Sequence, residues 1–485
     1  MTSPISPDAA VAAADNAPSP TAGARESVWQ LVRGALAGTQ RDYTRESLGL
    51  AVILLAIPMV AEMIMESIFA VADIFWVSKL GADAVTAVGL TESWLTIEYA
   101  LAMGLSMGAT AVVARRTGEK DARGASVGAA QAVIMGLALA AVLGVIGFAF
   151  APNLLALMGG TPGVVAMGGN YARVMLGGSV TVVMLFVVNA IFRGVGDPAI
   201  AMRTLVLANT INIVLGPFLV FGWGPFPRLG VTGAAVATTI GRGVGVLYQF
   251  AALSGGRGRI RLSRSDARIE VDTMRTIARI AQSGVVQSLV GMASWIFLVR
   301  IIASFGSDAV AGYTIAIRVV MFALLPAWGM SNAAATLVGQ NLGARQPDRA
   351  ERAVWKTALY SVVFLGGVGL AFVLFAEPIV GLFHPAPAVL VNGARCLRVV
   401  SMGFIFYAYG MVVTAAFNGA GDTRTPTVLN FACFWLFEIP LAWVLARPLS
   451  LGPTGVFVAI TVAFSAFAVA GVVLFRRGTW KRIEV

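Results

Sequence analysis

The chain has 485 residues, of which 58% are hydrophobic and 12% charged, whereas soluble globular proteins carry about 25% charged residues. This composition excludes a soluble enzyme, a disulfide-linked scaffold and a disordered protein, and it supplies enough apolar residues for about a dozen membrane spans of ~20 residues each. The net charge of +11 raises the question of nucleic acid binding, but the cytoplasmic loops of membrane proteins carry the same excess of Lys and Arg.

The N-terminal segment is predicted to lie outside the membrane. Residues 1–24 are rich in Ala, Pro, Ser and Asp and contain no apolar core, which argues against a cleavable signal peptide and favours a disordered cytoplasmic tail. Between Glu26 and Leu36 the apolar residues recur at helical spacing opposite Gln30 and Arg33. We therefore expect residues 1–44 to form a tail that includes a short interfacial helix.

Twelve apolar runs follow, separated by Gly, Pro or charged clusters. They cover residues 48–80, 84–114, 125–151, 164–192, 199–223, 230–253, 274–305, 309–342, 353–383, 388–417, 426–449 and 454–475. Several runs exceed ~25 residues, so the helices should be tilted or bent, or should extend beyond the lipid. Four prolines lie inside the runs and are expected to kink their helices, because each lacks a backbone donor: Pro58, Pro217, Pro326 and Pro440.

An internal repeat divides the twelve predicted spans into two halves. A shift of 225 residues without gaps aligns residues 81–118 with 306–343, including Gly104 with Gly329 and Gly118 with Gly343, and aligns residues 192–197 with 417–422. We expect two homologous six-helix lobes, related by an axis along the membrane normal. The predicted units are an N-lobe (45–253), a basic cytoplasmic linker (254–273), a C-lobe (274–476) and a cytoplasmic C-terminal tail (477–485).

The basic residues predict the orientation of the chain. The N-terminal tail, the even-numbered loops and the C-terminus fall on one side, and this side holds 26 of the 35 Lys and Arg residues. Both termini are therefore predicted to be cytoplasmic, in a multi-pass protein of the plasma (inner) membrane. The charge excess is explained by topology, so we expect membrane lipids and no nucleic acid as partners, and we expect a monomer.

Four motifs resemble those of the multidrug and toxic compound extrusion (MATE) family. They are Val71-Ala72-Asp73-Ile74-Phe75-Trp76-Val77 in the first span, Arg193-Gly194-Val195-Gly196-Asp197-Pro198 after the fourth, Gly339-Gln340-Asn341-Leu342-Gly343-Ala344 after the eighth and Gly419-Ala420-Gly421-Asp422-Thr423 after the tenth. The match runs from about residue 48 to residue 475. It implies an all-α antiporter of twelve spans with a V-shaped cleft, which exports organic cations or other amphipathic compounds in exchange for H⁺ or Na⁺. It implies neither an enzyme nor a cofactor.

Six acids lie inside the predicted spans, where a carboxylate is costly and marks a candidate functional site. They are Glu62, Glu66 and Asp73 in the first span, Glu92 and Glu98 in the second and Glu438 in the eleventh. The three acids of the first span share one face of the helix over about 16 Å. We expect these acids to line a path for substrate or protons, and five of the six belong to the N-lobe.

The resemblance also implies a coupling site around Asp73. In family members with an N-lobe site, the equivalent Asp joins a network whose matching residues here are Tyr171, Asn189, Asn212 and Thr238. The chain departs from the pattern at Gly216, where the family has an acid before the proline of the fifth span. This departure weakens a Na⁺ site near Asp73 and leaves both H⁺ and Na⁺ open. The C-lobe acid site of other members is expected to be absent, because the 225-residue shift places Leu298 opposite Asp73.

Three further expectations follow from single residues. Pro58 frees the carbonyl of Leu54, so it is predicted to act as a hinge beneath the acids of the first span. Arg242 and Arg318 lie inside spans, and we expect them either to reach water at the membrane surface or to form ion pairs that fix the lobes.

Two other functions compete with antiport. One is a flippase for lipid-linked oligosaccharides or lipids within the same superfamily, which would be favoured by a cleft lined with Arg rather than with acids. The other is a passive channel or receptor. No nucleotide-binding GxxxxGK[ST] motif is present, so active transport would draw its energy from an ion gradient.

Overall fold

The computed structural model describes residues 28–38, 41–255, 259–263 and 265–485, and within these ranges it contains helices and no β-strand. The predicted tail at residues 1–24 lies outside the described residues, as do Arg257 and Arg264 of the linker. The helix that we expected near the start of the chain is present at Val28–Ala37. The fold class is confirmed as an all-α membrane protein.

Each of the twelve predicted runs becomes one helix or one pair of helices. The spans are Leu48–Ser78, Ala82–Gly118, Ala122–Leu157, Pro162–Gly177 with Ser179–Val195, Pro198–Phe221, Val231–Gly255, Val271–Ala303, Ser307–Gly343, Pro347–Leu374, Pro387–Ser401 with Phe404–Ala420, Arg424–Ala446 and Pro453–Arg476. We number them first to twelfth. Eleven are apolar enough to cross a membrane when the bent pair of the tenth is taken as one span. The sixth span is less apolar because it buries Arg242 and Gln249.

Only one of the interruptions of these helices lies at a predicted proline, Pro440. The first span is one helix with Pro58 inside it. The tenth span bends by 56° between Pro387–Ser401 and Phe404–Ala420, where no proline occurs. The eleventh span contains a π-helix at Phe431–Glu438, directly before Pro440. A π-helix is rare and is found most often at functional sites.

The two lobes meet at one end of the molecule, which we call the terminal face because the first span begins there and the twelfth ends there. The second span packs against the seventh, and the first packs against the eighth. Glycines permit the close approach: a Cβ atom added at Gly104 would lie 2.7 Å from the Ala281 carbonyl oxygen, and one added at Gly329 would lie 2.6 Å from that of Met59. Gly104 and Gly329 are equivalent in the repeat, so these two contacts are related by the pseudo-symmetry of the lobes.

The second and eighth spans cross each other nearer the terminal face through a second pair of glycines. A Cβ atom at Gly118 would collide with the carbonyl of Gln340, and one at Gly343 would collide with the carbonyl of Arg115. The 225-residue shift maps Gly118 onto Gly343 and Arg115 onto Gln340. The crossing therefore lies on the pseudo-two-fold axis, where only glycine allows two backbones to touch.

The chain termini cover this crossing. Asp42, just before the first span, forms an ion pair of 2.6 Å with Lys120 of the N-lobe, and the carbonyl of Tyr43 accepts a hydrogen bond from Arg349 of the C-lobe. Burial raises the pKa of Asp42, but hydrogen bonds from Lys120 and Thr44 outweigh this effect and lower the pKa to about 2. The N-terminal segment is thus attached to both lobes.

The residues that we predicted as a C-terminal tail are packed onto the protein. Thr479–Arg482 forms a 3₁₀-helix, in which Trp480 is fully buried and stacks on Phe475 at 4.6 Å. Arg115 of the N-lobe donates a hydrogen bond of 2.6 Å to the carbonyl of Ile483. In the sequence, Trp480 is an apolar residue among basic ones, and it is the residue by which this segment is anchored to the protein.

Candidate functional site

The deepest acid of the first span, Glu62, belongs to a buried ion pair. Its Oε1 atom lies 3.2 Å from Nη1 of Arg193 and accepts a hydrogen bond of 3.1 Å from Nδ2 of Asn189. Gln249 of the sixth span in turn donates to Oδ1 of Asn189. The Glu62 carboxylate is therefore compensated within the N-lobe, on the side of the terminal face.

This cluster corrects the predicted position of Asn189. We expected Asn189 to join the site around Asp73, but it contacts Glu62, which lies eleven residues earlier in the same helix. At a rise of 1.5 Å per residue, about 16 Å separate these two positions along the helix axis. Asn189 therefore holds the lower acid of the first span and not the upper one.

The middle of the first span interacts with the fifth. Nδ2 of Asn209 lies 3.3 Å from Oε2 of Glu66 and 3.4 Å from the carbonyl of Met65. One turn further along the fifth span, Asn212 donates a hydrogen bond of 2.7 Å to the hydroxyl of Thr238, which donates to the carbonyl of Ala234. The predicted residues Asn212 and Thr238 thus contact each other, but the hydrogen bonds described for their side chains go to each other and to the backbone.

Asp73 lies near the open end of the first span and is half-buried. Its electrostatic neighbours are Glu92 of the second span, Arg242 of the sixth and Tyr171 of the fourth. Two carboxylates, one guanidinium and one phenol therefore converge from four helices. Of the predicted partners of Asp73, the structure brings Tyr171 close and adds Glu92 and Arg242.

Arg242 is the centre of this group. Its side chain is buried and interacts electrostatically with Tyr99, Glu66 and Glu98. Its guanidinium carbon lies 5.6 Å from the ring centre of Phe69, while Nη1 has no hydrogen-bond partner among the described residues. We expected this Arg to reach the membrane surface or to fix the lobes, but it lies inside the N-lobe and compensates several acids there.

The two acids of the second span have different surroundings. Glu98 is buried and accepts a hydrogen bond of 3.1 Å from Ser179, at the break of the fourth span. Glu92 is exposed and interacts with Arg318 of the eighth span, which is also exposed. The two side chains belong to opposite lobes and attract each other electrostatically, but they form no direct ion pair among the described residues, so the expected ion pair of Arg318 stays a prediction.

The position of the absent fifth-span acid is occupied by an aromatic ring. A Cβ atom at Gly216 would lie 3.6 Å from Cδ1 of Trp76, which follows Asp73 by one turn. The indole Nε1 atom of Trp76 is buried without a hydrogen-bond partner in the described part of the chain. No second carboxylate reaches Asp73 from the fifth span, and Glu92 provides one from the second.

A cavity of about 550 Å³ opens between the first and eighth spans, away from the terminal face. Its walls are almost entirely apolar. They consist of Ile64, Ser67, Ile68, Val71, Ala72, Phe75, Trp76, Phe322 and Pro326. Asp73 is not among them: at about 100° per residue it lies half a turn around the helix from Ile64, so the cavity and the charged group lie on opposite faces of the first span.

Sequence reasoning found the acids but missed the residues that compensate them. Arg193 was taken as part of the basic loop signal, yet it lies in the last turn of the fourth span and pairs with Glu62. Asn209, Gln249, Tyr99 and Ser179 were not singled out. A polar residue inside an apolar run was the available signal for all four, but no spacing rule pairs residues from different spans.

A family model described as MatE matches residues 58–218 and 280–444, one segment in each half of the chain. The chain belongs to the MatE family. This MatE chain is 26% identical over 438 residues to the "Probable multidrug resistance protein NorM" of Thermotoga maritima, covering 89% of this chain and 93% of the relative. It is 28% identical over 379 residues to the "FAD transporter" of Shewanella oneidensis, covering 77% and 83%.

A solved structure described as an outward-facing conformation of a multidrug resistance MATE family transporter is also similar. It matches the MatE chain with a TM-score of 0.85 at 27% identity, covering 91% of this chain and 98% of the other. The predicted resemblance and the twelve-span architecture are therefore confirmed.

Proposed function

We propose that the protein is a multidrug efflux antiporter of the inner membrane, which exports amphipathic or cationic compounds in exchange for protons. The observation that carries the proposal is the group formed by Asp73, Glu92 and Arg242 at the first span, whose opposite face lines an apolar cavity. The cavity offers a surface for the apolar part of a substrate, and the acids offer a counter-charge for a cation. The names of the relatives, a multidrug resistance protein and a FAD transporter, support export of large organic molecules.

The direction of transport follows from the orientation that the basic residues predict. If both termini are cytoplasmic, the glycine crossing closes the lobes on the cytoplasmic side and the cavity opens to the outside. This arrangement agrees with the outward-facing description of the similar solved structure. Export then requires the crossing of Gly118 and Gln340 to open, so that the same cavity faces the cytoplasm.

Protons fit the coupling site better than Na⁺. A Na⁺ ion needs several oxygen ligands, but Gly216 provides none and the Thr238 hydroxyl is already bonded to Asn212 and Ala234. Arg242 also places a positive charge within interaction range of Asp73. A proton needs only one carboxylate oxygen. Its binding at Asp73 would remove the attraction between Asp73 and Arg242, which would then interact only with the other acids around it.

Antiport would arise because proton and substrate compete for the same charges. A proton on Asp73 or Glu92 removes the negative charge that holds a cationic substrate, and the substrate in turn keeps the proton away. The two ligands then occupy the protein in alternation, which is the requirement for exchange. Arg242 is a fixed internal cation that keeps the empty site from carrying a large net negative charge.

The test is uptake of ethidium into proteoliposomes under an imposed pH gradient, with a Na⁺ gradient measured separately. We expect ethidium transport driven by the pH gradient alone, and we expect Asp73→Asn to reduce it at least tenfold. Asp83→Asn is the matched control, since Asp83 is an exposed acid in the first turn of the second span. A panel that includes FAD would define the substrate range.

The outcomes separate the proposed function from its rivals. Full pH-driven transport by Asp73→Asn would refute the role of Asp73. Ethidium movement independent of both gradients would refute antiport and favour a channel. Transport of a fluorescent lipid analogue without any gradient would favour the flippase alternative.

A further inference from the structure

Glu438 is an isolated carboxyl group in the interior of the C-lobe. Its side chain is 1% exposed, and its Oε1 atom has no hydrogen-bond partner among the described residues. The other five acids within the spans all have a polar or charged partner in the N-lobe or, for Glu92, across the cleft. Glu438 forms no side-chain hydrogen bond or ion pair within the described residues, and the proposed coupling site does not use it.

The surroundings of Glu438 contain titratable groups but no charge. Tyr313 of the eighth span and Tyr407 of the tenth interact with both Glu438 and Cys396, and Cys433 faces Glu438 from its own span. The seventh and twelfth spans contribute aromatic rings, since Trp295 and Phe464 lie 6.4 Å apart and Phe464 lies 4.9 Å from Tyr407. Within the described residues, no Lys, Arg or second acid faces Glu438 from any of these spans.

A buried carboxylate without a cation is far less stable than a neutral carboxyl group. Glu438 is therefore neutral in this conformation and carries a proton. A neutral carboxyl group that served only to stabilise the fold would donate that proton in a hydrogen bond and would have both oxygens satisfied. The Oε1 atom is unsatisfied, and an unsatisfied buried polar group calls for another explanation.

The backbone at Glu438 departs from a regular α-helix. Glu438 ends the π-helix Phe431–Glu438, and Pro440 has no N–H group to donate to the carbonyl of Leu436. Conversion of a π-helical turn to α-helix removes one residue from that turn and rotates the residues around it by about 100°. Phe437, next to Glu438, is 40% exposed, so this segment borders the outer surface of the protein.

The repeat shows that the two lobes differ in this segment. The residues Leu229-Gly230 recur as Leu451-Gly452 after a shift of 222, so the C-lobe is three residues shorter than the N-lobe between Asp422 and Leu451. The π-helix lies in this shorter interval.

The repeat also relates the location of Glu438 to that of Asp73. Cys396 is the C-lobe equivalent of Tyr171, which is a neighbour of Asp73, and Leu298 is the equivalent of Asp73 itself. Each lobe thus places one acid near this pair of equivalent positions. In the N-lobe the acid is Asp73 of the first span, and in the C-lobe it is Glu438 of the eleventh span.

We propose that Glu438 is a second proton-binding site, located in the C-lobe, which exchanges its proton with water when the lobes change conformation. The proton leaves the carboxyl oxygen for a water molecule in the conformation that exposes the π-helical segment, and it is taken up again before the segment closes. This inference rests on the proposed proton coupling and adds one proton per cycle to it.

The first experiment measures the proton-to-ethidium stoichiometry of the full-length protein in proteoliposomes, from the pH gradient at which ethidium flux reverses. We expect Glu438→Gln to lower the stoichiometry by one proton, because Gln mimics the neutral carboxyl group and cannot release a proton. Glu377→Gln is the control, since Glu377 is an exposed C-lobe acid paired with Arg398, and it should leave the stoichiometry unchanged. An unchanged stoichiometry in Glu438→Gln would overturn the proposal.

The second experiment does not depend on transport. Infrared difference spectra of the wild-type protein in liposomes, recorded between two pH values and in H₂O and D₂O, should contain a carboxyl C=O band that is lost in Glu438→Gln and kept in Glu377→Gln. A band that neither titrates nor shifts in D₂O would identify a permanent, structural carboxyl group and refute the proton site. If the band titrates while ethidium moves independently of both gradients, the proposed function fails and the C-lobe site stands.

Discussion

At the scale of single residues, the acids of the first span have separate tasks. Glu62 is buried and paired with Arg193, Glu66 contacts Asn209, and Asp73 is half-buried and interacts with Glu92 and Arg242. Their common helix face suggested one continuous path, but their partners divide that face into a structural lower part and a charged upper part. The upper part includes an exposed acid, Glu92, whereas the lower part is sealed by Arg193 and Asn189.

Removing the cation of the lower pair should destabilise the protein. In Arg193→Ala, the Glu62 carboxylate would stay buried without its cation, which typically costs about 3–5 kcal/mol when a buried pair is broken. We expect a lower melting temperature in detergent. Adding Glu62→Gln should restore part of the loss, because the unpaired charge is then removed. A double variant less stable than Arg193→Ala alone would contradict this assignment.

The candidate site was predictable in part. Carboxylates inside apolar runs are visible in a sequence because their cost in lipid makes them exceptional, and so Asp73 and Glu92 were found. The resemblance implied Tyr171 as a partner of Asp73, but the grouping of Asp73 with Glu92 and Arg242 could not be predicted, because it depends on how the helices rotate against one another. The position of Asn189, which lies in the fourth span beside Glu62 and not beside Asp73, could not be predicted for the same reason.

At the scale of elements, the twelve helices follow from hydrophobicity, whereas their interruptions do not. Each apolar run is long enough to span the lipid, and its ends coincide with Gly, Pro or charged clusters. The bend at Met402 and Gly403 and the π-helix before Pro440 depend on packing between spans. Conversely, Pro58 lies in an unbroken helix, beside the contact of Gly329 with Met59, so its predicted hinge is held by the eighth span in this conformation.

The glycine crossing of the second and eighth spans provides a test at this scale. In Gly118→Ala the new methyl group would collide with the Gln340 backbone, and overpacking of this kind costs about 1–3 kcal/mol. We expect fewer molecules closed at the terminal face and a lower melting temperature. Gly343→Ala, its repeat equivalent, should behave alike. Gly89→Ala in the same span has nothing within 4 Å of its new Cβ atom and should leave both measurements unchanged. Equal effects of Gly118→Ala and Gly89→Ala would refute the crossing as a closure contact.

At the scale of the whole molecule, the closed face is held by more than the two lobes. Lys481 pairs with Asp348 and Glu351 of the C-lobe, while the Ile483 carbonyl is bonded to Arg115 of the N-lobe. The last residues of the chain therefore connect the lobes on the side that must open during transport. Breaking these contacts is part of the free energy of the change to the opposite conformation.

Deleting residues 479–485 should therefore shift the protein towards the conformation that opens at the terminal face. The deletion removes the hydrogen bond from Arg115 of the N-lobe to the Ile483 carbonyl; a hydrogen bond from a charged group contributes about 1.5–3 kcal/mol, and such a difference is enough to reverse a modest preference between two states. Spin labels at Arg123 and Arg352, which are exposed on the terminal face in opposite lobes, would report the distance between the lobes. We expect a second population at a longer distance in the truncated protein. Lys481→Ala removes only partly exposed ion pairs, worth about 1 kcal/mol or less, and should have a much smaller effect. A wild-type distance distribution in the truncated protein would show that the lobes hold themselves closed through the glycine crossing alone.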